Sequence, residues 1–341
     1  MIREILAKLS KKQSLTEQEA YDCMIEILEG KALPTQVAAY LAFLNLEFET
    51  PAEVVGSVKA MRDKMVRLNA EGLDALDVCG TGGDHRGTFN ISTAAAFALA
   101  GGGVKVAKHG NRAASSQCGS ADVLKALGVK IDAAVPVLEK CLKEAGMAFL
   151  FAPHFHPAMK NVGPIRKELG IRTIFNVLGP MCNPASVKRQ VIGVFDAERA
   201  RLIGEALIEA GMERVLTLHS KDGLDEVSNA DETFIWELKR EKKGTIKRSS
   251  MVIHPELFGY QRQSLEAIKG GDAAYNANIL KGVLRGEHSP HRDAVVMNAA
   301  LGFYVAGKCD AIPDGRALAE KSLDSGAAMK VLEQMRKVSN E

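Results

Sequence analysis

The sequence has no excess of charge of either sign. Lys plus Arg total 44 and Asp plus Glu total 42, a net charge of +2. That balance argues against a surface built to coat nucleic acid or to lie on an anionic membrane. No CxxC pair occurs: the six cysteines stand singly at positions 23, 79, 118, 141, 182 and 309. Neither a thiolate zinc site nor a disulfide framework is indicated, and reduced thiols point to a reducing, cytoplasmic compartment. No stretch approaches the ~20 apolar residues of a membrane span. The start, Met1-Ile-Arg-Glu-Ile-Leu-Ala-Lys8, mixes charge into an apolar helix face and is not expected to be a signal peptide. There is no internal repeat and no low-complexity tract. What remains is ordinary for a globular protein, with 46% apolar and 25% charged residues. The length suits one large domain plus a small one.

Two regimes follow along the chain. Up to about residue 70 the pattern is helical. Thr16 and Glu19 have capping-box spacing, and apolar positions recur through Ala20, Met24, Ile25, Ile27 and Leu28 until Gly30. Pro34 opens a second helix and Pro51 a third, so a small bundle of three helices is expected. From Leu73 strands alternate with helices. Strands are expected at 75–78, 104–107, 148–151, 191–194, 215–218 and 233–238. Helices are expected at 93–100, 120–127, 136–144, 198–210, 273–284 and 293–306. Such alternation predicts a mostly parallel sheet with helices on both faces. Ligands in that class sit at the carboxyl ends of the strands. The expected division is 1–72 for the helical part, joined by part of 165–187, and 73–341 for the α/β part. The Pro- and Gly-rich stretch 157–184 is expected to cross back to the bundle. Lys239–Lys247 reads as a solvated hairpin.

The chemistry concentrates between Asp77 and Gly128. Gly80, Gly82, Gly83 and Gly87 crowd the turn after the first strand of the sheet, beside Thr81, Asp84 and Thr88. Glycine there permits positive φ and close approach of backbone to a ligand. Free N–H groups at the turn and the next helix start form an anion cradle. The two familiar alternatives fail: GxxxxGK[ST] is absent, and His85 stands where GxGxxG needs glycine. Ser92 and Thr93 are N-cap residue types whose hydroxyls could also reach phosphate or a hydrated cation. Lys108-His109-Gly110-Asn111-Arg112 follows another strand, with Ser115, Ser116 and Ser120 close behind. Lys and Arg can neutralise a diphosphate while hydroxyls fill its other acceptor positions. Asp225-Glu226 can hold Mg²⁺, which prefers carboxylates and substrate phosphate oxygens, or can be an acidic turn. Arg166 can clamp a carboxylate bidentately.

Together these segments, with His156–Arg166, Thr173–Pro184 and Asp222–Ser228, resemble the anthranilate phosphoribosyltransferase family across nearly the whole chain. The resemblance implies an α/β fold of the nucleoside phosphorylase/phosphoribosyltransferase type with a small N-terminal bundle. It implies transfer of a phosphoribosyl group from 5-phosphoribosyl 1-diphosphate to anthranilate, in tryptophan biosynthesis, by a Mg²⁺-using homodimer that engages neither membrane nor nucleic acid. Carried over, Gly80, Gly83, Asp84, Thr88, Asn90, Ile91, Ser92 and Thr93 would hold the phosphoribosyl diphosphate. Lys108, His109, Gly110, Asn111, Arg112, Ala113, Ala114, Ser115, Ser116 and Ser120 would continue that site. Gly80, Asn111 and Arg166 would contact anthranilate, and Ser92, Asp225 and Glu226 would contact the metal. His109 is the candidate for a late proton acceptor. The chain departs from the commoner pattern at His85-Arg86, Gln117 and Met181-Cys182. Two other readings stay open. A pyrimidine nucleoside phosphorylase would favour a Lys-His-Ser-Gly-Arg type of loop. A non-catalytic nucleic-acid binder of this fold would show a basic groove and no metal carboxylates.

Overall fold

The computed structural model describes residues 1–47, 49–113 and 117–341. Four helices open the chain: α1 (Ile2–Leu9), α2 (Glu17–Leu28), α3 (Pro34–Glu47) and α4 (Pro51–Lys64). One more forms than the expected three, because Ile2, Ile5 and Leu9 put a buried stripe on α1. Thr16 and Thr50 each complete a capping box with the glutamate three residues on. Each such cap stabilises its helix by ~1 kcal/mol. Glu53 also accepts the amide of Leu15 at 2.8 Å, tying the start of α4 to the segment before α2. α2 and α4 pack closely at Gly56, where a Cβ would sit 2.2 Å from the carbonyl oxygen of Glu17.

The remainder folds around one seven-stranded sheet: β1 (Leu76–Gly80), β2 (Val106–Gly110), β3 (Met147–Phe151), β4 (Arg189–Gly193), β5 (Arg214–Ser220), β6 (Thr233–Arg240) and β7 (Ile246–Ile253). The order is β3-β2-β1-β4-β5-β6-β7. β1 to β5 pair in parallel, while β5–β6 and β6–β7 are antiparallel. The helices are α5 (Ile91–Gly101), α6 (Ser120–Ala126), α7 (Val135–Glu144), α8 (Ala152–Phe155), α9 (Gly163–Leu169), α10 (Phe175–Met181), α11 (Ala197–Glu209), α12 (Ala273–Leu284), α13 (Pro290–Val305), α14 (Gly315–Asp324) and α15 (Ala327–Ser339). α5 is the central one: every residue from Thr93 to Ala100 is buried. Its small side chains let α13 and α15 pack against it.

The structure corrects the sequence reading at three places in the fold. β7 was not among the expected strands, although the solvated hairpin expected over Lys239–Lys247 does form, as a turn at Glu241–Thr245 joining two eight-residue strands. α14 and α15 add two amphipathic helices after α13. α5 begins at Ile91, with Asn90 as N-cap, so Ser92 and Thr93 lie inside the first turn and are not its caps. The asparagine side chain makes no capping bond because it donates to the Cys118 carbonyl and accepts from Asn276.

The stretch 157–184 does return to the bundle. Asn161 donates to the carbonyl of Leu28 at 2.8 Å, and Leu68 donates to that of Pro184 at 3.1 Å. The Arg62 guanidinium of α4 donates to the carbonyls of Met181 and Ala210, the last turn of α10 and the C-cap of α11. A cation there matches two helix C-terminal dipoles at once. No helix among the described residues is long and apolar enough to cross a membrane.

Candidate active site

Three strand ends meet at one place. β1 runs into the glycine turn, where Gly82, Gly83 and Gly87 have φ of 68°, 79° and 67°, and His85 has a φ of 56°. The amides of Gly83, Asp84 and His85 donate to no acceptor among the described residues. Those free N–H groups are the raw material of an anion site. The loop after β5 brings Asp225 against this turn so closely that the glycines of β1 and β4 are obligatory. A Cβ on Gly80 would lie 2.4 Å from Asp225 Oδ2, and one on Gly193 would lie 1.5 Å from the Asp225 carbonyl oxygen.

Hydrogen bonds then lock the three elements. Gly82 N–H donates to Asp225 Oδ2 at 2.7 Å, and Ser92 N–H donates to Glu226 Oε1 at 3.0 Å. From β2, Lys108 Nζ donates to the Val78 carbonyl at 2.6 Å and to Ser92 Oγ at 3.2 Å. Lys108 is only 2% exposed, so its charge acts from beneath the site, through the Ser92 hydroxyl. Beneath it, Asp77 accepts from His109 N–H, Asn183 and Gln190. Burial lifts the Asp77 carboxyl to about 6, against the pull of Lys108 and these donors.

Asp225 and Glu226 sit recessed side by side. Burial pushes both carboxyls up, and each also feels a neighbouring acid, Asp84 for Asp225 and Asp225 for Glu226. Such a pair is relieved by a proton or by a hard cation.

The second loop closes the other side. Gly119 N–H and Ala113 N–H both donate to Asp122 Oδ2 at 3.0 Å, which ties both residues to the first turn of α6. Ser120 Oγ donates to the Asn111 carbonyl at 3.2 Å, and a Cβ on Gly110 would meet that hydroxyl. Arg112 has its guanidinium 3.7 Å from Asp122 and remains half exposed. Ala114, Ser115 and Ser116 lie outside the described residues. Thr88 bridges to Lys269, which adds a wall from the segment before α12 that sequence reasoning missed.

Arg166, on α9, reaches Asn176 Oδ1 at 3.4 Å and lies over the Phe175 ring at 5.4 Å. It makes no hydrogen bond to the phosphate loops among the described residues. Arg172, not singled out from sequence, does: its guanidinium donates to the Gly83 carbonyl. His109 packs against His156, ring centroids 5.1 Å apart, and both are buried. Burial, helped by the other imidazole, pushes His109 down to about 3, and burial pushes His156 down to about 4. Both rings are therefore neutral, and His109 is a weak proton acceptor. A cavity of about 280 Å³ between α4 and the start of β4, lined by Arg62, Met65, Met181 and Gln190 among others, contains none of the loop residues above.

Comparison with known proteins agrees with this arrangement. Residues 72–329 match the glycosyl transferase family, a/b domain, and residues 3–65 match its helical bundle domain. An anthranilate phosphoribosyltransferase from Dehalococcoides mccartyi is 45% identical over 339 residues, covering 99% of this chain and 98% of its own. The crystal structure of the Thermus thermophilus anthranilate phosphoribosyltransferase superposes with a TM-score of 0.92 at 42% identity, over 98% of this chain and 99% of that one. The Saccharomyces cerevisiae enzyme, solved in complex with PRPP and Mg, gives a TM-score of 0.90 at 28% identity, over 99% and 98%. With a two-part family match and full-length relatives at this identity, the chain belongs to the anthranilate phosphoribosyltransferase family.

Proposed function

We propose that this chain joins the amine of anthranilate to C1 of 5-phosphoribosyl 1-diphosphate, releasing diphosphate, as a step of tryptophan biosynthesis. The observation that carries the reading is the bonded chain Lys108–Ser92–Glu226 beside Gly82–Asp225. It gathers cation, hydroxyl, free amides and carboxylates at the carboxyl ends of neighbouring strands.

The phosphoribosyl diphosphate lies along Gly80, Gly83, Asp84, Thr88 and Asn90–Thr93, and continues over Lys108–Ser116 and Ser120. Of Thr93, which is buried, the helix amide rather than the side chain serves, while the amide of the equally buried Ile91 is taken by the Phe89 carbonyl and Ile91 supports the start of the helix. As the C1–O bond breaks, negative charge grows on the leaving diphosphate. The unpaired amides of Gly83, Asp84 and His85 are already aimed and need no reorganisation, which is how a preorganised site lowers such a barrier. Arg166 and Asn111, with Gly80, hold the anthranilate carboxylate so that the amine faces C1. An aromatic amine is neutral at pH 7, so no base is needed before attack. His109, depressed to about 3, orients more readily than it accepts a proton.

Mg²⁺ fits the donors present. Asp225 and Glu226 are acids confined together, each with one oxygen anchored by a backbone amide, and Ser92 Oγ adjoins them. When bound, the ion would offset the charge of the diphosphate oxygens. Residues 1–72, with part of 165–187, form the unit that closes over the sheet part 73–341 and keeps water from competing as nucleophile. Two such chains pair through the bundle, where Leu33 and Leu46 are 57% and 73% exposed. Six free cysteines accord with a cytoplasmic setting.

Loss of anthranilate fluorescence on adding phosphoribosyl diphosphate, with and without Mg²⁺, tests the reading. Phosphorolysis of thymidine or uridine in its place would sink it.

A further inference from the structure

Arg172 follows α9 in the crossing segment and leaves the chain's own acids alone: no carboxylate lies within ion-pair distance of it among the described residues. Its guanidinium makes two contacts instead. One edge donates to the Gly83 carbonyl, and the face lies over the Phe195 ring with 3.8 Å from the central carbon to the ring centroid. Phe195 is itself tied to the glycine turn, since its amide donates to Thr81 Oγ1 at 3.3 Å. The result is a closed circuit of Thr81, Gly83, Arg172 and Phe195, drawn from the loop after β1, the loop after β4 and the crossing segment.

The peptide plane gives that circuit a consequence. The Gly83–Asp84 peptide is trans, so its C=O and N–H point in opposite directions. Holding the Gly83 carbonyl toward Arg172 turns the Asp84 N–H the other way, into the cradle where it has no partner in the chain. Gly83 has a φ of 79°, and only 3.2 Å would separate an added Cβ from the guanidinium. Glycine with free φ and ψ rotates readily unless something fixes the plane.

We infer that Arg172 is a positioning residue for the diphosphate: it sets the orientation of the Gly83–Asp84 peptide, and the Phe195 ring holds the guanidinium in place to do so. This rests on the reaction proposed above. The chemistry needs both parts of arginine, since a planar fork donates from its edge while its face stacks.

Calorimetric titration of phosphoribosyl diphosphate with Mg²⁺, together with both KM values and thermal melting, tests it on the wild-type chain, Arg172→Ala and Arg172→Gln. Alanine is expected to raise Kd and KM for phosphoribosyl diphosphate about tenfold, the scale of a lost charge-assisted hydrogen bond. The anthranilate KM and the melting temperature are expected to stay close to wild type. Glutamine, whose amide still donates to the carbonyl, recovers part of the loss. Unchanged diphosphate binding in Arg172→Ala overturns the inference, as does an equal rise in both KM values. A wild-type chain that leaves anthranilate unconsumed overturns the reaction itself, before any variant is compared.

Discussion

Replacing Gly193 by alanine places a methyl where the Asp225 backbone already is. The added Cβ would lie 1.5 Å from the Asp225 carbonyl oxygen and 2.5 Å from its carbonyl carbon. Ordinary contact begins near 3.4 Å, so about 2 Å of displacement is required. Backbone must supply it, because β4 is pinned between β1 and β5 at Gly193. The loop that yields is the one carrying Asp225 and Glu226. A misplacement of about 1 Å costs roughly 10²-fold in rate when a group must be held in register, so kcat/KM should fall by at least about 10²-fold. Overpacking of this kind also destabilises by ~1–3 kcal/mol, a fall in Tm of roughly 1–4 °C for a chain of this size. Gly204→Ala is the control. Its Cβ would meet the flexible end of Leu238 at 2.6 Å, far from the loops, so it should lose stability and keep activity. Anthranilate fluorescence and thermal melting on both variants separate the two effects. Wild-type activity in Gly193→Ala would refute the claim that the acidic loop is held against the β1–β4 edge.

Other outcomes follow from the same geometry. Arg166→Ala should weaken anthranilate use by about tenfold or more with phosphoribosyl diphosphate binding largely kept; KM values for both substrates decide it, and an equal loss for both contradicts the role. Asp225→Asn with Glu226→Gln should abolish most of the Mg²⁺ dependence of the rate, read from a metal titration. His156, held near 4 when folded against ~6.5 when unfolded, binds fewer protons folded than unfolded between those values. Its contribution is therefore full above about pH 6.5 and is lost as pH falls toward 4, by up to about 3 kcal/mol. Asp77, raised to about 6, works in the opposite sense between about pH 4 and 6. Denaturant unfolding of His156→Gln across pH 4–7 should show a shallower acid loss than wild type; parallel curves would count against it.

Much of this was legible in the sequence because the signals are local. A strand followed by four glycines, and a strand followed by Lys-His-Gly-Asn-Arg, each announce a loop at a strand end, and the structure puts both at the same edge. The acidic pair was legible as chemistry, but its tie to Gly82 and Ser92 spans more than 130 residues. β7 was hidden by its own defence: Lys247, Arg248, Ser249 and Ser250 keep an edge strand from pairing further, and they also erase its apolar alternation. Ser92 and Thr93 misled as caps, since residue type favours the cap while the strand-to-helix path already starts α5 at Ile91, behind Asn90. The Asp77–Asn183–Gln190 cluster and the grip of Arg172 on Gly83 depend on long-range approach that no spacing reveals.

The most direct test is a crystal structure with phosphoribosyl diphosphate and Mg²⁺ bound. The diphosphate should lie among the Gly83, Asp84 and His85 amides, the Ser92–Lys108 pair and the Asp225–Glu226 carboxylates. Density for it elsewhere, with those groups facing solvent, would contradict the account.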